Sequence, residues 1–467
     1  MVQNTRSRAG DTQRYVRTVA ATAALGGLLF GYDTGVMSGA LLYITPEFGM
    51  TPSQEGLVTS MLLVGAAIGA LGGGAIADAL GRRRTLIVGG VLFILGSIWC
   101  ALAGGIGALA AARTFLGVGV GGVSIVTPMY IAEMSPAKVR GKLVSLNTLM
   151  IVVGQLVAYL VNSLLARTGS WEWMLGLAAV PGAALAIGMF LLPETPLWQA
   201  RRGARAKAEA TAARIGMSAS ELEELLANDA RTRQAASRGE WRTLRKTKWL
   251  RSTVIVAALL GITQQVTGVN AIVYFAPTMM NAVGLSTENA VYTSIVIGLV
   301  SVVACWVGLQ VVDKIGRTRL LLIGLTGNVV FLVALAVMYR AAENNAGLAL
   351  VALACMAGFI ASQQAAVSPT TWLLISELVP PQVRGVGMGL AGLALWVMNW
   401  VVAQFFLPLV DATSATFSFL LFAVFGVVAA VFVRRQVPET MGRSLDEVAD
   451  EMHERFDPGF GNQAKSV

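Results

Sequence analysis

The sequence predicts an all-α membrane protein of twelve transmembrane helices arranged as two six-helix pseudo-repeats. Three observations predict it: a scarcity of charge, twelve long apolar runs, and three motifs that occur twice. Of 467 residues, 55% are hydrophobic and only 13% are charged, against about 25% charged in an ordinary soluble domain. So little charge cannot cover a water-facing surface, and much of the surface must face lipid. The net charge of +9 does not point to nucleic acid. The basic residues sit in short segments between apolar ones, where the positive-inside rule places them.

Crossing the hydrocarbon takes about 20 apolar residues as helix. Such runs begin near Val16, Gln54, Thr85, Gly107, Leu143, Trp173, Ser252, Ala290, Leu320, Leu348, Gly387 and Thr416. One long interruption, rich in Ala, Arg and Glu, reads as a solvated and partly helical linker. The expected layout is an N-terminal segment (1–15), a six-helix domain (16–193), the linker (194–250), a second six-helix domain (251–436) and a C-terminal tail (437–467). Basic clusters at Arg6–Arg17, Arg82–Arg84, Lys138–Lys142, the linker, Lys314–Arg319, Arg384 and Arg434–Arg443 all fall on one side of this trace. Both termini are therefore expected in the cytoplasm of a cell-membrane protein.

The two halves repeat in order. Asp78-Ala-Leu-Gly-Arg82 recurs as Asp313-Lys-Ile-Gly-Arg317, and Glu133 to Arg140-Gly141 recurs as Glu377 to Arg384-Gly385. Pro193-Glu194-Thr195 recurs as Pro438-Glu439-Thr440, and the three offsets are 235, 244 and 245 residues. Parallel repeats of this size suit a duplicated bundle with a substrate site near the membrane midplane.

Few ionisable residues lie inside the runs. Asp33 is roughly 17 residues, or about 25 Å, into the first helix, and Arg113 about 10 Å into the fourth from its other end. A carboxylate at such depth is costly unless neutralised or paired. An Asp whose charge depends on a nearby Arg suits a proton carrier; a fixed tie between two helices is the plainer alternative. The repeated ends are candidates for a cytoplasmic gate: Asp78, Arg82, Arg83, Glu133 and Arg140 in one half, and Asp313, Arg317, Glu377 and Arg384 in the other. Ion pairs Glu133–Arg140 and Glu377–Arg384 are expected within that gate.

Amides and indoles interrupt the second half. Gln264, Gln265, Asn270 and Tyr274 fall on the seventh run, with Trp372, Trp396 and Asn399 beyond and Gln155 in the first half. Amides donate and accept, which a neutral polyhydroxylated ligand needs, and aromatic faces pack on its C–H surface. On an ideal wheel Gln265 points away from Tyr274, so a shared cavity requires the helix to loosen near Gly268. Cys100, Cys305 and Cys355 each stand alone in apolar runs, and the single histidine, His453, is in the tail. That composition offers neither a metal cluster nor a nucleophile–base pair, so no enzyme is expected.

Gly81-Arg-Arg83, Pro128 to Glu133, Arg140-Gly-Lys142, Pro193-Glu-Thr-Pro196, Gln264-Gln265-x-x-Gly268-x-Asn270 and Pro438-Glu-Thr440 together resemble the sugar porter family of the major facilitator superfamily. The resemblance covers the whole chain. It implies the major facilitator fold, with Asp33 and Arg113 matching the proton-coupling pair of bacterial symporters. It further implies sugar contacts from Gln155, Gln264, Gln265, Asn270, Trp372 and Asn399, with Tyr274 and Trp396 lining or closing the cavity. Where hexose and xylose carriers have amides, this chain has Thr148, Ser301 and Leu395. Segments 146–155, 173–181 and 384–389 look more like bacterial myo-inositol transporters. The resemblance thus implies proton-linked uptake of myo-inositol by alternating access, with hexose or pentose symport and facilitated uniport as alternatives. A transport-deficient nutrient sensor fits least, since such proteins signal through long extensions. The chain has no Gly-x-x-x-x-Gly-Lys-Ser/Thr loop, so no cofactor is expected, only the proton gradient. The expected partners are the small polyol or sugar, protons and membrane lipid, with the protein acting as a monomer.

Overall fold

A computed structural model describes residues 2–237 and 239–457; the end of the expected tail, 458–467, lies outside the described residues. Side chains of the basic N-terminal stretch are described only from residue 12 onward. Among the described residues, twelve helices are long and apolar enough to cross a membrane. The first six are Thr12–Phe48, Pro52–Leu80, Arg82–Ala101, Ile106–Glu133, Ala137–Leu165 and Trp171–Leu191. The second six are Lys248–Ala282, Thr287–Ile315, Arg317–Ala342, Ala349–Leu378, Pro381–Ala412 and Ala415–Gln436. The expected all-α, twelve-span fold is the observed one, and most helices begin a few residues before the apolar run that signalled them.

The chain divides into two compact units, Met1–Asp229 and Ala230–Val467. Between the sixth and seventh spans run the helices Pro196–Arg201, Arg205–Arg214, Ala219–Ser237 and Glu240–Lys246. A last helix, Leu445–Phe456, is capped by Ser444 and Glu447 acting reciprocally, which satisfies orphan N–H groups at its start. Val448 and Met452 of that helix join a core with Leu378 and Val433.

In the N-terminal unit, glycine sets the helix contacts. On the first span, Gly27, Gly31, Gly35 and Gly39 recur every fourth residue, one face of a helix. A Cβ on Gly31 would lie 1.8 Å from the Ile151 carbonyl oxygen, and one on Gly35 2.8 Å from that of Gln155. The second and fourth spans meet the same way, with Gly65 and Gly69 on the Thr114 and Val118 carbonyls and Gly117 and Gly121 on those of Leu62 and Ala66. With no water to expel between lipid-bathed helices, such close backbone packing supplies the attraction.

The C-terminal unit breaks two of its spans. The seventh stops at Val266 and restarts at Val269, around Gly268 at φ 83°, ψ 21°. The tenth contains a π turn over Gln363–Val367. Its cause is Pro369, which has no N–H for the carbonyl of Ala365. The freed carbonyl rests against Gly308 of the eighth span, where a Cβ would lie 2.2 Å from it.

Candidate functional site

Inside the N-terminal unit, Arg113 Nη1 donates to Asp33 Oδ1 at 2.7 Å, and both side chains are buried. Arg113 Nε reaches the Val58 carbonyl at 3.3 Å, so the guanidinium ties the first, second and fourth spans. Asp33 Oδ2 and Arg113 Nη2 have no hydrogen-bond partner. The pair is held through one contact, leaving acceptor and donor capacity on each side. The two residues the sequence singled out in this unit are thus brought together. On the fifth span Gln155 is buried with its Oε1 unpartnered, and Thr148 is half-buried about two turns earlier.

In the C-terminal unit, Asn270 Nδ2 donates to Gln265 Oε1 at 2.8 Å and to Asn399 Oδ1 at 2.7 Å. Because Gly268 turns the chain left-handed, Gln265 and Asn270 meet although a straight helix would set them apart. Gln264 keeps its Oε1 unpartnered while its backbone carbonyl accepts from Gln363 Nε2 at 3.2 Å. Tyr274 is fully buried, edge-on to Phe275 at 6.1 Å between ring centroids. Trp396 is buried one turn before Asn399, whereas Trp372 is 41% exposed.

The repeated motifs build the same cluster at one end of each unit. Third-span and ninth-span helices start at Arg82 and Arg317 behind Gly81 (φ 98°) and Gly316 (φ 100°), which offer no capping side chain. A distant glutamate caps instead. Glu194 accepts from the backbone N–H of Arg82 at 3.1 Å and of Arg83 at 3.2 Å. Glu439 accepts from Arg317 N at 2.8 Å and Arg319 N at 3.3 Å. A carboxylate at a helix N-terminus satisfies orphan donors and meets the positive end of the dipole. Burial pushes the Glu194 carboxyl above its ordinary range despite its donors from Thr195, Arg83 and Arg82. Burial works the same way on Glu439, but its donors from Arg317, Met441, Arg319 and Thr318 outweigh it and hold the carboxyl below the usual range.

The neighbouring threonine completes each cluster. Arg82 Nε pairs with Glu133 at 3.0 Å, Arg82 Nη1 with Asp78 at 2.9 Å, and Thr195 donates to Glu133 at 2.5 Å. Arg317 pairs with Asp313 at 2.9 Å and with Glu377 at 3.5 Å, and Thr440 donates to Glu377. Arg83 instead binds the Met189 and Phe190 carbonyls. The expected pairs Glu133–Arg140 and Glu377–Arg384 are corrected: Arg140 donates to the Ser135 carbonyl at 3.4 Å and Arg384 to that of Ser376 at 3.3 Å. Pro136 and Pro380 end one helix and open the next segment, so the seven-residue spacing does not share a helix face.

Sequence reasoning missed several members. Glu194, Thr195, Glu439 and Thr440 were visible as a repeat, but nothing local announces caps 112 and 122 residues distant. Arg201 bridges Asp78 at 2.6 Å and pairs with Asp229. Asn328 and Gln363 are amides in apolar runs, a signal that could have marked them.

Two six-span helical units, each with a charged cluster at one end, make a multi-pass membrane protein. The family model described as Sugar (and other) transporter matches residues 19–452. The chain is 36% identical over 454 residues to the major myo-inositol transporter IolT of Bacillus subtilis (strain 168), covering 95% of this chain and 96% of that protein. It is 38% identical over 432 residues to the glucose transporter GlcP of Staphylococcus epidermidis, covering 92% and 96%. The xylose transporter XylE from E. coli, in a partially occluded inward-open structure, matches at TM-score 0.79 and 29% identity over 92% of this chain and 100% of that one. XylE is described as a proton:xylose symporter in a second structure, which matches at TM-score 0.78 and 30% identity over 94% and 100%. The chain belongs to the sugar porter family of the major facilitator superfamily.

Proposed function

We propose that this sugar porter carries myo-inositol into the cell together with protons by alternating access, as a monomer in the cell membrane with both termini in the cytoplasm. The observation that carries the reading is the amide trio, in which one Asn270 nitrogen serves both Gln265 and Asn399. Amides exchange hydrogen bonds among themselves when empty and with hydroxyl groups when occupied, at little change in electrostatic energy. A neutral polyol suits such a lining. The proton is carried by Asp33, whose neutralisation would release Arg113, and no cofactor is required. The end clusters Asp78–Arg82–Glu133 and Asp313–Arg317–Glu377 act as the cytoplasmic gate.

Thr148, Ser301 and Leu395 in place of amides favour inositol, while the 38% identity to a glucose transporter favours a hexose. Uptake of labelled myo-inositol, glucose and xylose into proteoliposomes under an inward proton gradient decides between them. Accumulation of inositol that collapses with a protonophore is the expected result. Accumulation of glucose or xylose instead overturns the substrate, and gradient-independent equilibration overturns the coupling.

A further inference from the structure

The break in the seventh span leaves carbonyls without ladder partners, as every helix end does. Within that last turn, the Gln265 carbonyl is taken by Gly268 N at 2.9 Å. The Gln264 carbonyl is taken from another helix, by Gln363 Nε2 at 3.2 Å, with the Thr267 hydroxyl more distant at 3.4 Å. Gln363 is itself oriented: its Oε1 accepts from Asn328 Nδ2 at 2.5 Å, and both residues are fully buried. Glycine makes that approach possible. A Cβ on Gly327 would lie 2.5 Å from Ser362 Oγ, and one on Gly324 2.6 Å from the Ala366 Cβ, so the ninth span sits tightly on the tenth beside Gln363. Gln363 also opens the π turn that Pro369 imposes.

We infer that Gln363, oriented by Asn328, is a positioning residue that fixes the turn carrying Gln264 and Gln265. Gln363 ties this turn to the tenth span, and Asn328 ties Gln363 to the ninth. The unpartnered Gln264 Oε1 is then aimed by a backbone that cannot rotate without breaking the Asn328–Gln363–Gln264 chain. Asn328 Oδ1 has no partner, but reversing either amide would set oxygen against oxygen along the chain, so it holds one orientation. The inference rests on reading Gln264 and Gln265 as substrate contacts.

The test uses the full-length protein in lipid nanodiscs, with binding of labelled myo-inositol, glucose and xylose and amide hydrogen exchange across 264–272. Gln363→Leu removes the bond at similar volume; losing one oriented hydrogen bond is expected to raise the Kd about fivefold. Transport at saturating substrate stays near wild type, and exchange across 264–272 rises. Asn328→Leu frees Gln363 without removing it and gives a smaller rise in Kd, about threefold; the double variant matches Gln363→Leu alone. An unchanged Kd, or a raised Kd with unchanged exchange, overturns the inference, the latter by making Gln363 a direct contact. Should Gln363→Leu fail to fold, Asn328→Leu decides by the same two readouts. If the wild type binds none of the three ligands, the functional reading fails. The exchange measurement then decides alone, a rise upholding the positioning role and its absence overturning it.

Discussion

Arg113 grips Asp33 by a single nitrogen at 2.7 Å, although both side chains are sealed from solvent. A bidentate pair would be the stronger tie. With the second oxygen of Asp33 bare, the carboxylate can take up a proton without first breaking its bond to Arg113. Asp33→Asn is expected to abolish uphill accumulation in proteoliposomes while substrate counterflow continues. The same change leaves Arg113 buried and uncompensated, costing about 3–5 kcal/mol, visible as a lower unfolding temperature. Uphill transport by this variant would end the proton-carrier assignment.

The two end clusters are built alike but not equally buried. Arg82 and Glu133 are 1% and 8% exposed, Arg317 and Glu377 15% and 23%. Removing one partner of a buried pair is costly, and the cost falls with exposure. Glu133→Ala should destabilise by about 3 kcal/mol, and Glu377→Ala by about 1 kcal/mol or less. Arg140→Gln, which loses a long carbonyl contact and a charge near Glu221, should change the unfolding midpoint little. Thermal unfolding of the purified variants ranks the three.

Gly81 and Gly316 combine a backbone conformation that side chains avoid with contact to a carboxylate. A Cβ would meet Glu194 Oε2 at 2.1 Å and Glu439 Oε2 at 2.6 Å. Gly81→Ala and Gly316→Ala should each cost about 2 kcal/mol or more in unfolding, with increased exchange at the capped amides of residues 82–83 and 317–319. A neutral outcome at either position would show that the glutamate is not the cap.

The caps should answer acid in opposite senses. Glu439 is held below the ordinary glutamate value, so its stabilisation is present above about pH 4.3 and is lost as pH falls through its lower folded value. Glu194 is pushed up, so its contribution is full below about pH 4.3 and fades as pH rises through its higher folded value. Unfolding of Glu439→Gln should therefore lose acid sensitivity, and that of Glu194→Gln should lose sensitivity on the alkaline side of that value. Superimposable pH profiles for the two variants would contradict the asymmetry.

The fold was legible because its signals are local and redundant: a run of apolar residues reports a span by itself, and the duplicated motifs report the second half once the first is read. Asp33 and Arg113 were legible for the opposite reason, since a charge in a membrane span stands out against everything around it. The amide trio was half legible. Gln265, Asn270 and Asn399 could be nominated, and the need for a break at Gly268 followed from helix geometry. What failed was the pairing of Glu133 and Glu377, because Pro136 and Pro380 open a new segment between each glutamate and its expected arginine. Gln363 escaped because an amide in an apolar run carries no mark of which backbone it will hold.

The glycine faces of the N-terminal unit have a mechanical consequence. The Asn147, Ile151 and Gln155 carbonyls of the fifth span each sit in a notch one Cβ wide on the first, at Gly27, Gly31 and Gly35, and the second and fourth spans mesh in both directions. Teeth of that pitch resist sliding by anything less than a whole helical turn, about 5.4 Å, because a smaller shift drives backbone into backbone. The first and fifth spans therefore travel as one beam and the second and fourth as another. Such a unit can pivot, but it cannot shear along these seams.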